Sequence, residues 1–190
     1  MIPPTPYRVA RSLLLRFLRV DVRGLNECRD QLLQGRVLIR CNHVSFLDGV
    51  LVTLASPVPL VVPVDTEFSL KPSPARSFLR MLERFGLGEV VPMDVNKPLA
   101  LKTLKQRLDS GANVLIFPEG KISETGCIQP EMPGAKWLVA KTQARVLDMR
   151  IEGAERSMFF GKSGSSVWPR ISLWFGCPSF TLRPEMMSAE

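Results

Sequence analysis

The amino-acid sequence predicts an α/β fold: a mixed sheet flanked by helices and preceded by an N-terminal amphipathic helix. Three observations carry this. From residue 36 to residue 176, short apolar runs alternate with segments of helical period. The 190 residues, 45% hydrophobic and 23% charged, have the length and balance of one domain with a sizeable core. Ahead of that pattern, arginines and apolar residues separate onto opposite faces of a helix.

In chain order, residues 7–19 form the amphipathic helix. At 100° per residue Arg8, Arg11, Arg16 and Arg19 share one arc, with Val9, Ala10, Leu13, Leu14, Phe17 and Leu18 opposite. This pattern fits a surface helix packed on the core, a helix in a membrane interface, or both at the rim of a domain. Residues 36–41 read as a strand, 46–56 as a helix ended by Pro57, and 59–64 as a strand. A helix over 73–86 closes at Gly86, a strand spans 88–93, and an amphipathic helix over 97–111 ends at Gly111. Residues 112–117 make a buried strand, 133–144 a helix entered through Pro133 and Gly134, and 145–153 and 170–176 strands. The division expected is residues 1–24 as a membrane-docking helical segment and 25–190 as the main domain.

Charge sharpens the picture. Of the net +7, residues 1–40 hold eight arginines against Asp21, Glu27 and Asp30, a net +5, leaving +2 for the rest. A basic end suits an anionic partner, either a membrane surface or a nucleic acid. With one tyrosine and no helix-turn-helix or RNA-recognition signature, nucleic acid is not the expected partner. Four scattered cysteines without a CxxC pair, and a single histidine, give no zinc pattern; they fit reduced thiols in the cytosol. The longest uncharged run near the N-terminal half, residues 49–64, contains three prolines and is shorter than the roughly 20 residues that cross a bilayer.

Ligand sites in such sheets lie on loops at strand ends, and two loops stand out. In "CNHVSFLDGV", residues 41–50, the only histidine, His43, precedes Asp48 by five positions. On one continuous helix the two would point 140° apart, but across a strand–loop–helix corner a carboxylate can hold the imidazole Nδ1–H and leave Nε2 free as a base. A competing reading is that Ser45 to Asp48 is a capping box that only starts the helix. In "FPEGKISETG", residues 117–126, Pro118 and Gly120 make a tight turn whose N–H groups, with Lys121, can hold a phosphate. An ordinary polar loop is the alternative.

Together these segments resemble the glycerolipid acyltransferases, the lysophosphatidate-acyltransferase-like superfamily. "NHVSFLD" is similar to its NHxxxxD block and "FPEGKIS" to its FPEG(T/R)xS block, about 75 residues on. "GEVVPMD" and "VLDMRIEGAE" occupy the places of the intermediate and last blocks, so the resemblance spans about residues 10–176. The nearest look is to the acyltransferase half of bacterial 2-acylglycerophosphoethanolamine acyltransferase/acyl-ACP synthetase fusions.

The resemblance implies transfer of a fatty acyl group from acyl-ACP or acyl-CoA to a lysophospholipid hydroxyl, without a metal or other cofactor. It implies catalysis by His43 and Asp48, and substrate binding by Glu119, Gly120, Lys121, Ser123, Asp94 and Lys97, with Lys102 a further candidate cation. Glu119 is expected to orient Lys121 or to bind a headgroup amine or hydroxyl, and the N–H groups around residues 43–46 to hold the oxyanion. Val95 stands where many members have Arg, Ile122 where the FPEG block is basic, and Asp148 where Pro is usual. These departures point to lysophosphatidylethanolamine as acceptor, with lysophosphatidate the alternative. The expected location is peripheral, at the cytoplasmic face of the inner membrane. Rival readings are a His–Asp lipid hydrolase and a non-catalytic membrane- or nucleic-acid-binding module.

Overall fold

The structure is a computed structural model that describes residues 5–65, 86–93 and 98–176, with Ser77, Arg80, Met81, Glu83 and Arg84 between them. It has the α/β architecture expected. In chain order the elements are α1 (Thr5–Phe17), β1 (Val20–Arg23), α2 (Leu25–Gln34), β2 (Val37–Cys41), α3 (Asp48–Ala55), β3 (Leu60–Asp65) and β4 (Gly88–Met93). Next come α4 (Pro98–Asp109), β5 (Asn113–Ile116), α5 (Pro133–Lys141), β6 (Arg145–Glu152), a 3-10 turn (Ala154–Arg156) and β7 (Ile171–Phe175). The helix expected over 73–86 lies largely outside the described residues.

Seven strands form one sheet in the order β1-β7-β6-β2-β5-β3-β4. All pairs are parallel except β6 with β7, which makes the sheet mixed. Side chains alternate across it, as strand geometry requires. Ile39 and Leu115 join one core with Leu32, Leu51 and Leu173. Their neighbours Leu38 and Val114 join the opposite core with Leu104 and Leu138. Both faces are therefore covered by helices, the usual condition for parallel strands rich in Val, Ile and Leu. Helix α3 is buried along its whole length.

Residues 20–35 show no clear period in sequence, yet the structure has two elements there. In "VDVR" the alternation is only four residues long, and β1 is held by its pairing with β7. Gly24 then turns the chain into α2 at φ 69°, where a Cβ would lie 2.1 Å from the Phe175 carbonyl oxygen. Farther on, buried Asn113 fixes the end of α2. Its Oδ1 accepts the Val37 N–H at 3.1 Å and its Nδ2 donates to the Leu32 carbonyl at 3.0 Å.

Helix α1 divides its apolar residues. Leu15 is buried in a cluster with Val50 and Leu54 of α3, and Leu14 and Leu18 pack beside it. Val9, Leu13 and Phe17, one turn apart, are exposed. Arg11 donates to the Ala55 carbonyl and Arg19 to that of Trp168, so these two arginines hold the helix to the domain. The side chain of Arg8 lies outside the described residues. No helix among the described residues is long and apolar enough to cross a membrane.

Gly24→Ala combines left-handed strain with a backbone clash. It is expected to cost about 3 kcal/mol or more, read as a lower denaturant midpoint at unchanged slope.

Candidate active site

The site forms where β2 and β5 end. These strands are adjacent and parallel, with Arg40 level with Ile116. Continuing three residues along each chain brings His43 level with Glu119. Sheet register thus delivers the two sequence blocks to one place although 76 positions separate them.

Asp48, the first residue of α3, is fully buried. Its Oδ2 lies 2.9 Å from His43 Nδ1 and accepts the N–H groups of Val44 at 2.6 Å and Ser45 at 2.8 Å. Its Oδ1 accepts the Ser45 hydroxyl at 2.5 Å. Asp48 orients the ring and makes only half of the expected capping box: it accepts the Ser45 N–H, but the Ser45 hydroxyl donates to its carboxylate, and α3 follows Leu47 without a side-chain cap. A carboxylate at a helix N-terminus is favoured by the macrodipole, and these donors replace the water it has lost. In the neutral ring a carboxylate partner places the proton on Nδ1 and leaves the lone pair on Nε2. Nε2 has no protein partner among the described residues. The imidazole stacks on Phe117, ring centroids 4.1 Å apart and 16° from parallel.

Glu119 does something different from what was expected of it. Its Oε1 accepts the His43 N–H and its Oε2 the Gln129 N–H, each at 3.0 Å. The carboxylate therefore clasps the two loops, and neither oxygen is given to Lys121. Burial raises its pKa above the ordinary 4.5, opposed by those two N–H donors. Ser123 also holds the loops together: its N–H donates to the His43 carbonyl at 2.8 Å and its hydroxyl to the Cys127 carbonyl at 2.7 Å. Gly120 adopts φ 69°, and a Cβ there would lie 2.9 Å from Met132. Lys121 is exposed, and the N–H groups of Lys121 and Ile122 have no protein partner among the described residues.

The expected oxyanion donors are already engaged. His43 N–H goes to Glu119, Val44 and Ser45 N–H to Asp48, and Phe46 N–H to the Phe160 carbonyl at 2.9 Å. Asp94 and Lys97 lie outside the described residues. Among the described residues no cluster of metal-ligating side chains occurs. Cys28, Cys41 and Cys127 are free thiols, and burial pushes the Cys28 and Cys41 groups up, away from nucleophilic use.

Two positioning residues are not singled out by sequence. Asn42 extends the β2–β6 pairing with its side chain: Oδ1 accepts the Ile151 N–H at 2.7 Å and Nδ2 donates to the Ile151 carbonyl at 2.9 Å. A polar residue at the end of an apolar strand, just before the histidine, is the signal that could have drawn attention to it. Arg40 forks onto Asp148 at 2.7 and 3.0 Å and reaches Glu131 at 3.2 Å. Asp148, unusual at its place in the last block, thus serves as the cross-strand partner of Arg40.

Beside the ring opens a cavity of about 370 Å³, lined by His43, Leu101, Leu104, Phe117, Met132 and Leu138 among others. An apolar chamber with one polar reacting group at its wall suits a long aliphatic ligand. Gly134 lets α5 pack closely on α4 along this wall, since a Cβ there would lie 3.0 Å from Leu101.

A family model described as "Acyltransferase" matches residues 19–152. Among solved structures, the chain is similar to that of the 1-acyl-sn-glycerophosphate (LPA) acyltransferase PlsC from Thermotoga maritima. The two share 18% identity with a TM-score of 0.57, over 95% of this chain and 74% of that one.

Glu119→Gln keeps the shape but turns an NH₂ toward one of two N–H donors. Turnover is expected to fall about ten- to a hundredfold, the scale of a misplacement near 1 Å. The raised pKa means the folded chain binds this proton more tightly than the unfolded chain, so ionising Glu119 costs stability. Stability contributed by the group is lost as pH rises from 4.5 through the raised value. Thermal melts across that window should show a flatter pH slope in Glu119→Gln than in wild type.

Proposed function

The chain belongs to the acyltransferase family, and from that premise we propose that it moves a fatty acyl group from a thioester to the free hydroxyl of a lysophospholipid. The donor is carried by acyl carrier protein or coenzyme A. Lysophosphatidylethanolamine is the acceptor suggested by the likeness of the sequence blocks to the acyltransferase half of the fusion proteins. One observation carries the reading: the His43–Asp48 pair, with Nδ1 bound and Nε2 unpartnered, at the wall of an apolar cavity.

In the proposed step, Nε2 takes the hydroxyl proton as the oxygen attacks the thioester carbonyl. Asp48 stabilises the imidazolium that results. The tetrahedral intermediate collapses by breaking the C–S bond, and the departing thiolate recovers the proton from Nε2. The alcohol is itself the nucleophile, so no acyl-enzyme forms. With residues 43–46 engaged elsewhere, the N–H groups of Lys121 and Ile122 are candidates for the oxyanion or the acceptor phosphate. The cavity takes the acyl chain along its apolar wall beside His43.

An exposed Lys121 beside the turn also suits a phosphate monoester, so lysophosphatidate is the second acceptor to test. The known substrate of the Thermotoga protein adds weight to that arm. We further propose that residues 1–24 dock the 25–190 domain peripherally on an anionic bilayer, at the cytoplasmic face of the inner membrane. The exposed Val9, Leu13 and Phe17 stripe of α1 supports this.

With a labelled acyl thioester and a panel of lysophospholipids, His43→Ala should lower acyl transfer at least ~10²-fold while the domain stays folded, as for a missing general base. Near-normal turnover in that variant would end the catalytic reading. Lys121→Ala should raise KM for the acceptor and leave KM for the donor little changed. An effect on the donor alone would place the headgroup elsewhere.

A further inference from the structure

The exposed stripe of α1 does not end with the helix. The Phe17 ring meets Trp168 edge-on at a centroid distance of 4.8 Å. Trp168 Nε1 donates to the Phe17 carbonyl at 3.0 Å, and Arg19 donates to the Trp168 carbonyl at 3.1 Å. These contacts fix the segment between the 3-10 turn and β7 against the end of α1, 151 residues away in sequence. That segment, "SMFFGKSGSSVWPR" over 157–170, is itself rich in exposed apolar groups. Phe159 is 62% exposed, Val167 57%, Met158 50% and Trp168 43%, beside Leu13 and Phe17 at 62% each. So many large apolar side chains on one connected surface exceed the scattered exposure of an ordinary protein exterior.

The charge pattern says what covers it. Residues 1–20 contain four arginines and no acidic residue, and residues 156–170 contain Arg156, Lys162 and Arg170 and no acidic residue. Arg16, Arg156 and Arg170 are exposed around the patch. Apolar tips with cations beside them complement the acyl region and headgroups of an anionic leaflet, and tryptophan is enriched at that boundary. On the loop Arg156 pairs with Glu155 at 3.5 Å and Lys162 with Glu124 at 3.3 Å, so the cations left for lipid phosphates among the described residues are Arg170 and, on and just after α1, Arg16 and Arg19.

We propose that the 157–170 loop is a second membrane-inserting element, forming one lipid-facing surface with α1. The inference rests on the peripheral docking proposed above and deepens it. The loop also touches the catalytic corner: Phe46 donates its N–H to the Phe160 carbonyl at 2.9 Å, and Ser45 bridges to Gly161. A small apolar pocket between them is lined by Leu18, Leu47, Phe159, Phe160 and Trp168. Insertion of the loop therefore bears directly on the backbone that carries His43 and Asp48.

The test uses the full chain with Trp137→Phe and Trp174→Phe, leaving Trp168 as the only tryptophan. Vesicles of phosphatidylglycerol and phosphatidylethanolamine doped with chain-brominated phosphatidylcholine should shift its emission to the blue and quench it. Separately, Phe159→Ser with Trp168→Ser should weaken vesicle sedimentation by roughly tenfold or more, from the apolar area lost. Far-UV circular dichroism and a cooperative thermal melt report whether that variant is folded; the fluorescence arm needs no surface substitution. If the protein sediments with vesicles and Trp168 is neither shifted nor quenched, the loop does not insert and α1 docks alone. If the protein does not sediment with anionic vesicles at all, peripheral docking itself fails and the loop proposal with it.

Discussion

One buried carboxylate organises the corner on which everything else depends. Asp48 accepts from the His43 ring, from two consecutive backbone N–H groups and from the Ser45 hydroxyl. A buried charge with fewer donors would carry a heavy desolvation cost. Here the donors that satisfy the charge also fix the path of residues 43–47. The ring cannot be oriented without the turn that starts α3, and the turn cannot close without the carboxylate. The five-residue spacing follows from that: the acid must be one helical entry past the base.

Sheet register and Glu119 supply the other half. Parallel neighbours β2 and β5 end on the same side, so His43 and Glu119 arrive level with each other. Glu119 then ties both loops through backbone donors, and Ser123 closes the same junction from its own N–H. The polar residues of the FPEG segment thus divide their labour. Glu119 and Ser123 face inward and hold shape, whereas Lys121 is exposed and the N–H groups of Lys121 and Ile122 have no protein partner among the described residues, which leaves them for the acceptor headgroup under the proposed function. A carboxylate in a turn proposed to bind phosphate is a puzzle only when it is taken to face the phosphate.

Much of this was legible in the sequence. Alternation of apolar runs with helical segments located every strand from β2 to β7; burial on both faces makes β2 and β5 near-continuous apolar runs, and β6 and β7 alternate. β1 and α2 were not legible, because a four-residue strand and a short, polar helix have little periodic signal; β7 and the left-handed Gly24 define them. The pairing of His43 with Asp48 could be foreseen, since spacing and a capping signature constrain it locally. The role of Glu119 could not, since its partners, the His43 and Gln129 N–H groups, are set by tertiary register. The same holds for α1: helical period identifies an apolar face, but only packing decides that Leu15 is buried on α3 and that Leu13 and Phe17 are not.

His43 is the only histidine in the chain, so its ring gives one unambiguous set of signals. Two-bond nitrogen–proton NMR of labelled protein, above the pH at which the ring becomes neutral, reads which nitrogen holds the proton. A base oriented by Asp48 requires the Nδ1–H tautomer with Nε2 unprotonated, and a mixture of tautomers in Asp48→Asn. An Nε2–H tautomer in the wild-type protein would contradict the assignment of His43 as the base.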